Sequence, residues 1–277
     1  AVQDPAARMP AKTTLAHALL QIITVGLGSP LGREVAPREV GALAASGVSA
    51  WLRLPADQHR LIVACGAGAG LAAVYNVPLG AALFVLEVLL GTFAWPAAAV
   101  ALVTCCIGAV IAWIGLGNEI QYAVPPMTAG ASLIVWAAVA GPLFGIAAQG
   151  FVQLTSAARR QAARGWRLPV AAFVNFTLIG VLAIFLPALL GNGKGPAQLG
   201  FSSELTLGMA ALLLVLKVAI TSGSLRAGAS GGLLTPGIAI GALLAVVLGA
   251  AWNLIWPNAP PGCLLYTSPS PRDKRQS

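Results

Sequence analysis

The chain is 277 residues long, 58% hydrophobic with a further 32 Gly, and only 9% charged, against roughly 25% charged residues in a soluble domain. Five stretches, 61–86, 88–118, 120–158, 168–193 and 227–271, carry no Asp, Glu, Lys or Arg, and each exceeds the roughly 20 apolar residues that cross a bilayer. Composition therefore excludes a water-soluble enzyme, a disordered chain and a nucleic-acid module, and makes the net charge of +8 a signal of topology in a lipid bilayer.

Position 1 is Ala and the first ten residues are polar, so no signal peptide is read there and the sequence is expected to start inside a longer protein. Apolar segments follow at 15–31, 61–75, 79–90, 97–116, 132–156, 170–190, 205–222 and 233–256. Several are too short to span alone: the segment 79–90 amounts to about 18 Å of helix against a hydrocarbon core of about 30 Å. Helices that stop part-way must end in protein or a cavity. Gly and Pro mark the expected breaks, at Gly28-Ser29-Pro30, Val35-Ala36-Pro37, Asn76-Val77-Pro78 and 191–196, the pattern of a transporter or channel with broken helices. Gly66/Gly70 and Gly141/Gly145 stand at the spacing that lets helix backbones approach closely in lipid. The basic cluster Arg159, Arg160, Arg164 and Arg167 lies between two long apolar runs and is expected on the cytoplasmic side.

Four cysteines, at 65, 105, 106 and 263, have no metal-ligand spacing, nor do His17 and His59, so reduced structural thiols, no metal and no cofactor are expected. The last fifteen residues, CLLYTSPSPRDKRQS, are polar and basic, and Cys263 to Asp273 resemble a translated sequencing-library adapter. Residues 263–277 are therefore set aside as a non-native tail, with the natural sequence expected to end near Gly262.

An internal echo organises the rest. Gly32-Arg33-Glu34-Val35-Ala36-Pro37, ahead of Gly-Ala-Leu at 41–43, is matched by Gly231-Gly232-Leu233-Leu234-Thr235-Pro236, ahead of Gly-Ala-Leu at 241–243, with five residues from glycine to proline in both. Two such copies predict two repeats, each bringing the end of a broken helix to a shared site. Glu34 immediately precedes a helix expected from about Ala36. A carboxylate at membrane depth is costly and usually functional, and the unpaired N–H groups and positive dipole end of a helix start attract anions. Glu34 is thus expected to occupy an anion site with its own carboxylate and to release it on protonation; the rival readings are a helix cap or a salt bridge with Arg33 or Arg38. The second loop, 228–236, is glycine-rich, carries no acid and runs into an uncharged helix. Two such helix starts make a small-anion site without a fixed cation, which would hold the ion too tightly for rapid passage.

GREVAP at 32–37, AGLAAVYNVPLGAALFVLE at 69–87 and GGLLTP at 231–236, in this order and spacing, resemble the CLC family of chloride channels and proton-coupled chloride antiporters. The resemblance covers roughly residues 1–256. It implies an all-α membrane protein, multi-span, with broken and partly re-entrant helices in two inverted-topology repeats. Residues 1–127 would be the C-terminal part of the first repeat and 128–262 the N-terminal part of the second. It further implies that Glu34 is the gating and proton-shuttling glutamate. Gly32, Arg33, Val35, Gly232, Leu233 and Leu234 would form the anion-binding set, with the N–H groups of Leu233 and Leu234 as chloride donors. Glu87 would lie on an internal proton path. The implied protein is a homodimer with one pore per subunit and segments 79–90 and 97–116 at its dimer face, integral to the inner membrane of a bacterium. It would move chloride or a similar anion, either in exchange for protons or as a channel, and would not be an enzyme. The sequence departs from the family's usual pattern at Val35, where a glycine is usual; at Pro37, one place late; at Leu234, where a phenylalanine is usual; and at Val88, where many antiporters carry a second acid. The family's serine loop would precede Ala1, and its chloride-binding tyrosine would follow Gly262.

Three rival readings are weaker. Gly228-Ala229-Ser230-Gly231-Gly232 formally fits the GxSxG of a serine protease, but no histidine follows His59 to serve Ser230 as a base. Gly66, Gly68 and Gly70 ahead of Glu87 imitate a dinucleotide-binding turn inside a stretch with no charge, which a soluble Rossmann fold does not tolerate. An inverted-repeat transporter for an amino acid or sodium would ignore Glu34→Ala.

Overall fold

The computed structural model describes residues 9–123, 131–202 and 205–255; the expected tail at 263–277, Cys263 and the expected repeat boundary after residue 127 lie outside them. Ten α-helices occupy these residues: α1 (Ala11–Gly26), α2 (Val35–Trp51), α3 (Ala56–Tyr75), α4 (Pro78–Phe84), α5 (Trp95–Leu116), α6 (Ala131–Arg160), α7 (Arg167–Phe185), α8 (Lys194–Phe201), α9 (Leu207–Arg226) and α10 (Leu234–Ile255). No strand occurs among the described residues, only an antiparallel bridge between Gly32 and Gly232. Five helices, α5, α6, α7, α9 and α10, are long and apolar enough to cross a bilayer. Their large apolar side chains lie outward: Ile114 is 88% exposed, Phe185 77% and Ile184 75%. In lipid such exposure carries no hydrophobic cost, and the chain is an all-α integral membrane protein.

The chain divides into two compact units, the first comprising Ala1–Thr24 and Arg33–Gln121, the second Val25–Gly32 and Tyr122–Ser277. In the first, α2, α3 and α5 pack through glycine. A Cβ on Gly41 would run into the Gly66 carbonyl, and one on Gly70 into the Pro37 carbonyl, while Gly108 faces the Ala69 carbonyl at 2.8 Å from where its Cβ would lie. Small residues at these crossings let the backbones meet and turn packing, rather than hydrophobic burial, into the source of stability in lipid. Cys65 and Cys105 are buried free thiols among Ala64, Ala72, Val85 and Ala101. Pro78 opens α4, where its missing N–H costs nothing. A π-helical turn, Val85–Leu90, then carries the helix to Gly91, which adopts φ +67°. Together these two elements, Pro78–Leu90, are too short to cross a bilayer alone.

In the second unit, α9 and α10 pack around Leu213, Ile220, Leu243 and Val246. α6 buries only Ser132, Ala140, Thr155 and Ala158.

Three sequence expectations change. Val35-Ala36-Pro37 is not a break but the first turn of α2. The stretch 191–196 is only partly a break, because α8 begins inside it at Lys194. Gly141 and Gly145, unlike Gly66 and Gly70, have nothing within 4 Å of a built Cβ and sit on the exposed face of α6. The spacing was right, but a spacing does not say which face of a helix meets a neighbour.

Candidate functional site

Within the first unit, Glu34 is the residue immediately before α2, and it is 2% exposed. An N-cap residue usually takes extended backbone angles so that its side chain can bond the second or third helical N–H. Glu34 has φ −69° and ψ −20° instead and makes no capping bond. The third helical residue is Pro37, which has no N–H to offer. The rival reading of Glu34 as a helix cap is thereby set aside. Its carboxylate is met by the Tyr75 hydroxyl, which donates to Oε2 at 3.0 Å. Tyr75 ends α3 and is itself 7% exposed.

The pairing follows from the glycine crossings. α2 and α3 run in opposite directions with Gly41 opposite Gly66 and Pro37 opposite Gly70, so one further turn brings the end of α3 to the start of α2. Asn76 then takes a left-handed conformation (φ 55°, ψ 43°), ending α3 just beyond the tyrosine. Sequence reasoning missed Tyr75, although the Gly66/Gly70 spacing and the helix-ending Asn76-Val77-Pro78 together could have pointed to it.

Within the second unit, the segment Val25–Gly32 that leads toward Glu34 is held at both ends. Gly28 is at φ +97°, open to glycine without strain, and its carbonyl accepts from the Gly191 N–H at 3.0 Å. Gly32 and Gly232 exchange reciprocal bonds, Gly32 N–H to the Gly232 carbonyl at 2.8 Å and Gly232 N–H to the Gly32 carbonyl at 3.1 Å. Leu31 between them is fully buried against Ala158 and Leu225, and a Cβ on Gly231 would stand 2.5 Å from that of Leu31. The Arg159 guanidinium donates to the Gly231 carbonyl at 3.0 Å. The two motif loops thus meet backbone to backbone. The N–H groups of Gly32 and Gly232, two residues that the resemblance places in the anion-binding set, are each taken up by the other's carbonyl, so these two glycines align the loops.

α10 begins at Leu234, two residues before Pro236, as α2 begins two residues before Pro37. Both motifs therefore deliver a helix start with proline third, and the first turn of each keeps N–H groups that no carbonyl of its own helix can accept. Val35 is half-buried, Leu233 is half-buried and Leu234 is exposed. The Arg33 side chain is exposed, and Arg38 lies over the Phe84 ring at 5.1 Å. Glu87 sits on the π-helical turn, exposed and without a hydrogen bond or ion pair to any described residue.

The structure also singles out Lys217, which the sequence reading passed over inside an apolar run. It is fully buried in α9, and its amino group donates to the Leu189 carbonyl at 3.0 Å and the Gly191 carbonyl at 2.6 Å. A buried amino group must be paired; here it ties down the loop whose Gly191 in turn holds Gly28.

The sequence matches the voltage gated chloride channel family over residues 1–268. Voltage-gated ClC-type chloride channel ClcB of Citrobacter koseri is 30% identical over 261 residues, which cover 89% of this chain and 60% of the relative. ClcB of Shigella flexneri is 31% identical over 262 residues, 88% of this chain and 59% of the relative. The chain thus spans about 60% of the length of these relatives. Among solved structures, a slow cyanobacterial Cl-/H+ antiporter shares the fold with a TM-score of 0.75 at 21% identity, over 87% of this chain and 59% of that one. A CLC-type fluoride/proton antiporter superposes with a TM-score of 0.69 at 26% identity, over 82% of this chain and 57% of that one.

Proposed function

The chain belongs to the voltage gated chloride channel family, a family of transport proteins and not of enzymes, and from that premise we propose that it moves chloride or a similar small anion across the inner membrane of a bacterium by proton-coupled exchange. The observation that carries the reading is Glu34, a carboxylate buried at a helix start and not spent on capping it. In this reading the N–H groups at the start of α2, at Val35 beside Glu34, offer an anion partial charges alone, so that it binds and still leaves, and the family resemblance gives the N–H groups of Leu233 and Leu234 in the second motif the same task. The Glu34 carboxylate competes for the same place as an anion in its own right. Taking up a proton cancels that charge, the side chain withdraws, and the anion enters. The Tyr75 hydroxyl donates to the charged carboxylate and so favours the closed arrangement.

Exchange needs a second proton acceptor, and Glu87, exposed and without an ion pair among the described residues, supports that role. A channel is the second reading, favoured by Val88 in the place where many antiporters carry another acid. The active unit is proposed to be a homodimer with one pore per subunit. The test is to reconstitute the full-length protein in liposomes and record chloride efflux and internal pH together under a chloride gradient. Protons moved uphill by chloride are expected, with Glu87→Gln weakening the coupling; chloride efflux with no proton movement would make the protein a channel.

A further inference from the structure

A groove of about 1050 Å³ opens in the second unit between the α6–α7 connection, α7 and the end of α9. Four arginines line it, Arg160, Arg164, Arg167 and Arg226, and among the described residues no carboxylate does. Its far wall is apolar, with Val170, Val174 and Leu178 one turn apart along α7. Val170, Val174 and Leu178 are 54%, 59% and 56% exposed, so the wall continues into the lipid-facing side of that helix. The groove is held in shape by bonds within the protein. The Ala163 N–H donates to the Arg226 carbonyl at 2.8 Å, and the Asn175 amide donates to the Ser224 hydroxyl at 3.1 Å across the floor. Trp166, 76% exposed beneath the Arg167 guanidinium, has the amphipathic ring and position of a residue at the membrane–water boundary.

A cationic mouth that runs into an apolar, helix-lined wall matches a molecule with an anionic head and a hydrocarbon tail. Soluble anions have no use for the wall, and zwitterionic lipids gain little from four guanidiniums. By the positive-inside rule the arginines face the cytoplasmic leaflet, and basic pockets between membrane helices on that side hold phosphate headgroups. We infer that this groove is a binding site for an anionic phospholipid of the cytoplasmic leaflet, with the phosphate among Arg160, Arg164 and Arg226 and an acyl chain along Val170, Val174 and Leu178.

The site is wired to the second motif. Arg226 is two residues before Gly228, which opens the glycine loop at φ +90°, and Gly228 packs against Leu168 at the mouth of α7. Arg159, next to Arg160, holds the Gly231 carbonyl in the same loop. A lipid that orders the α6–α7 connection therefore orders the loop that aligns with Gly32, so occupancy is expected to speed anion transport as well as to stabilise the fold. This inference concerns the groove alone and does not depend on the role of Glu34.

The test uses the full-length protein in a neutral detergent, titrated with cardiolipin, with phosphatidylethanolamine or with inorganic phosphate, and followed by lipid adducts in native mass spectrometry and by thermal unfolding. Cardiolipin is expected to bind and raise the midpoint, while phosphatidylethanolamine and phosphate do neither. Each arginine near an anionic surface is worth about fivefold in affinity, so R164Q/R226Q should weaken cardiolipin about 25-fold. Val174→Trp, which fills the apolar wall and leaves every charge in place, should also abolish binding, and it serves if the arginine variant does not fold. Equal stabilisation by phosphatidylethanolamine, saturation by inorganic phosphate, or cardiolipin binding untouched by both variants would overturn the inference. So would a full-length protein that binds no cardiolipin because its remaining chain occupies the groove.

Discussion

A glutamate at the start of a helix ordinarily bonds the helix it precedes; Glu34 is kept from doing so by its helical backbone angles and by Pro37, and it is met instead by a phenol from the end of another helix. A hydrogen bond to a charged group contributes roughly 1.5–3 kcal/mol, so Tyr75→Phe should loosen the closed arrangement by about tenfold or more. Chloride efflux from liposomes at neutral pH is expected to rise correspondingly, with little loss of folded protein, because the ring and its packing stay. Lys217 makes a prediction of the opposite kind. Lys217→Met keeps most of the volume but leaves the Leu189 and Gly191 carbonyls without their donor, at about 1–3 kcal/mol for each buried group. The result is expected as a fall in the thermal midpoint in detergent, and as reduced flux because the Gly28–Gly191 contact loosens with it.

Among the elements, glycines of identical spacing separate cleanly. Gly70→Ala must push α3 away from the Pro37 carbonyl, an overpacking cost of about 1–3 kcal/mol, and it shifts Tyr75 relative to Glu34. It should therefore lower both yield of folded protein and anion flux. Gly141→Ala and Gly145→Ala meet nothing within 4 Å and are expected to leave stability and flux unchanged, or to improve α6 slightly, since Ala is the better helix former. Size-exclusion recovery and efflux assays on the three variants check both statements. Periodicity and length made most helices legible, including the short segment that ends at Leu90 and the helix start beside Glu34. What they missed has a physical reason. α8 was hidden because the glycines and proline of 191–196 read as a break, although Pro196, at the third position of a helix, costs little. The two glycine pairs looked alike because hydropathy in a membrane chain is high on every face, so nothing in the pattern tells a packed face from a lipid-facing one.

At the scale of the whole chain, composition alone placed the protein in a membrane, and the motifs at 32–37, 69–87 and 231–236 pointed to the family that the comparison then established. The positions of Glu34, Val35, Leu233 and Leu234 at two helix starts were legible from the glycine-to-proline echo. The Gly32–Gly232 bridge was not, because it joins residues 200 apart through backbone atoms that every residue shares. Tyr75, Lys217 and the four-arginine groove escaped for a related reason: each acquires meaning only from neighbours brought up by packing. The account turns on Glu34 as an anion that vacates its place when protonated. The measurement that tests this most directly is chloride efflux from liposomes at acidic and neutral pH, with internal pH recorded, for the full-length protein and its Glu34→Gln variant. The account predicts that the variant passes chloride at a rate that no longer depends on pH and moves no protons with it. Flux in Glu34→Gln that still responds to pH as the unaltered protein does, or proton movement that survives the substitution, would contradict it.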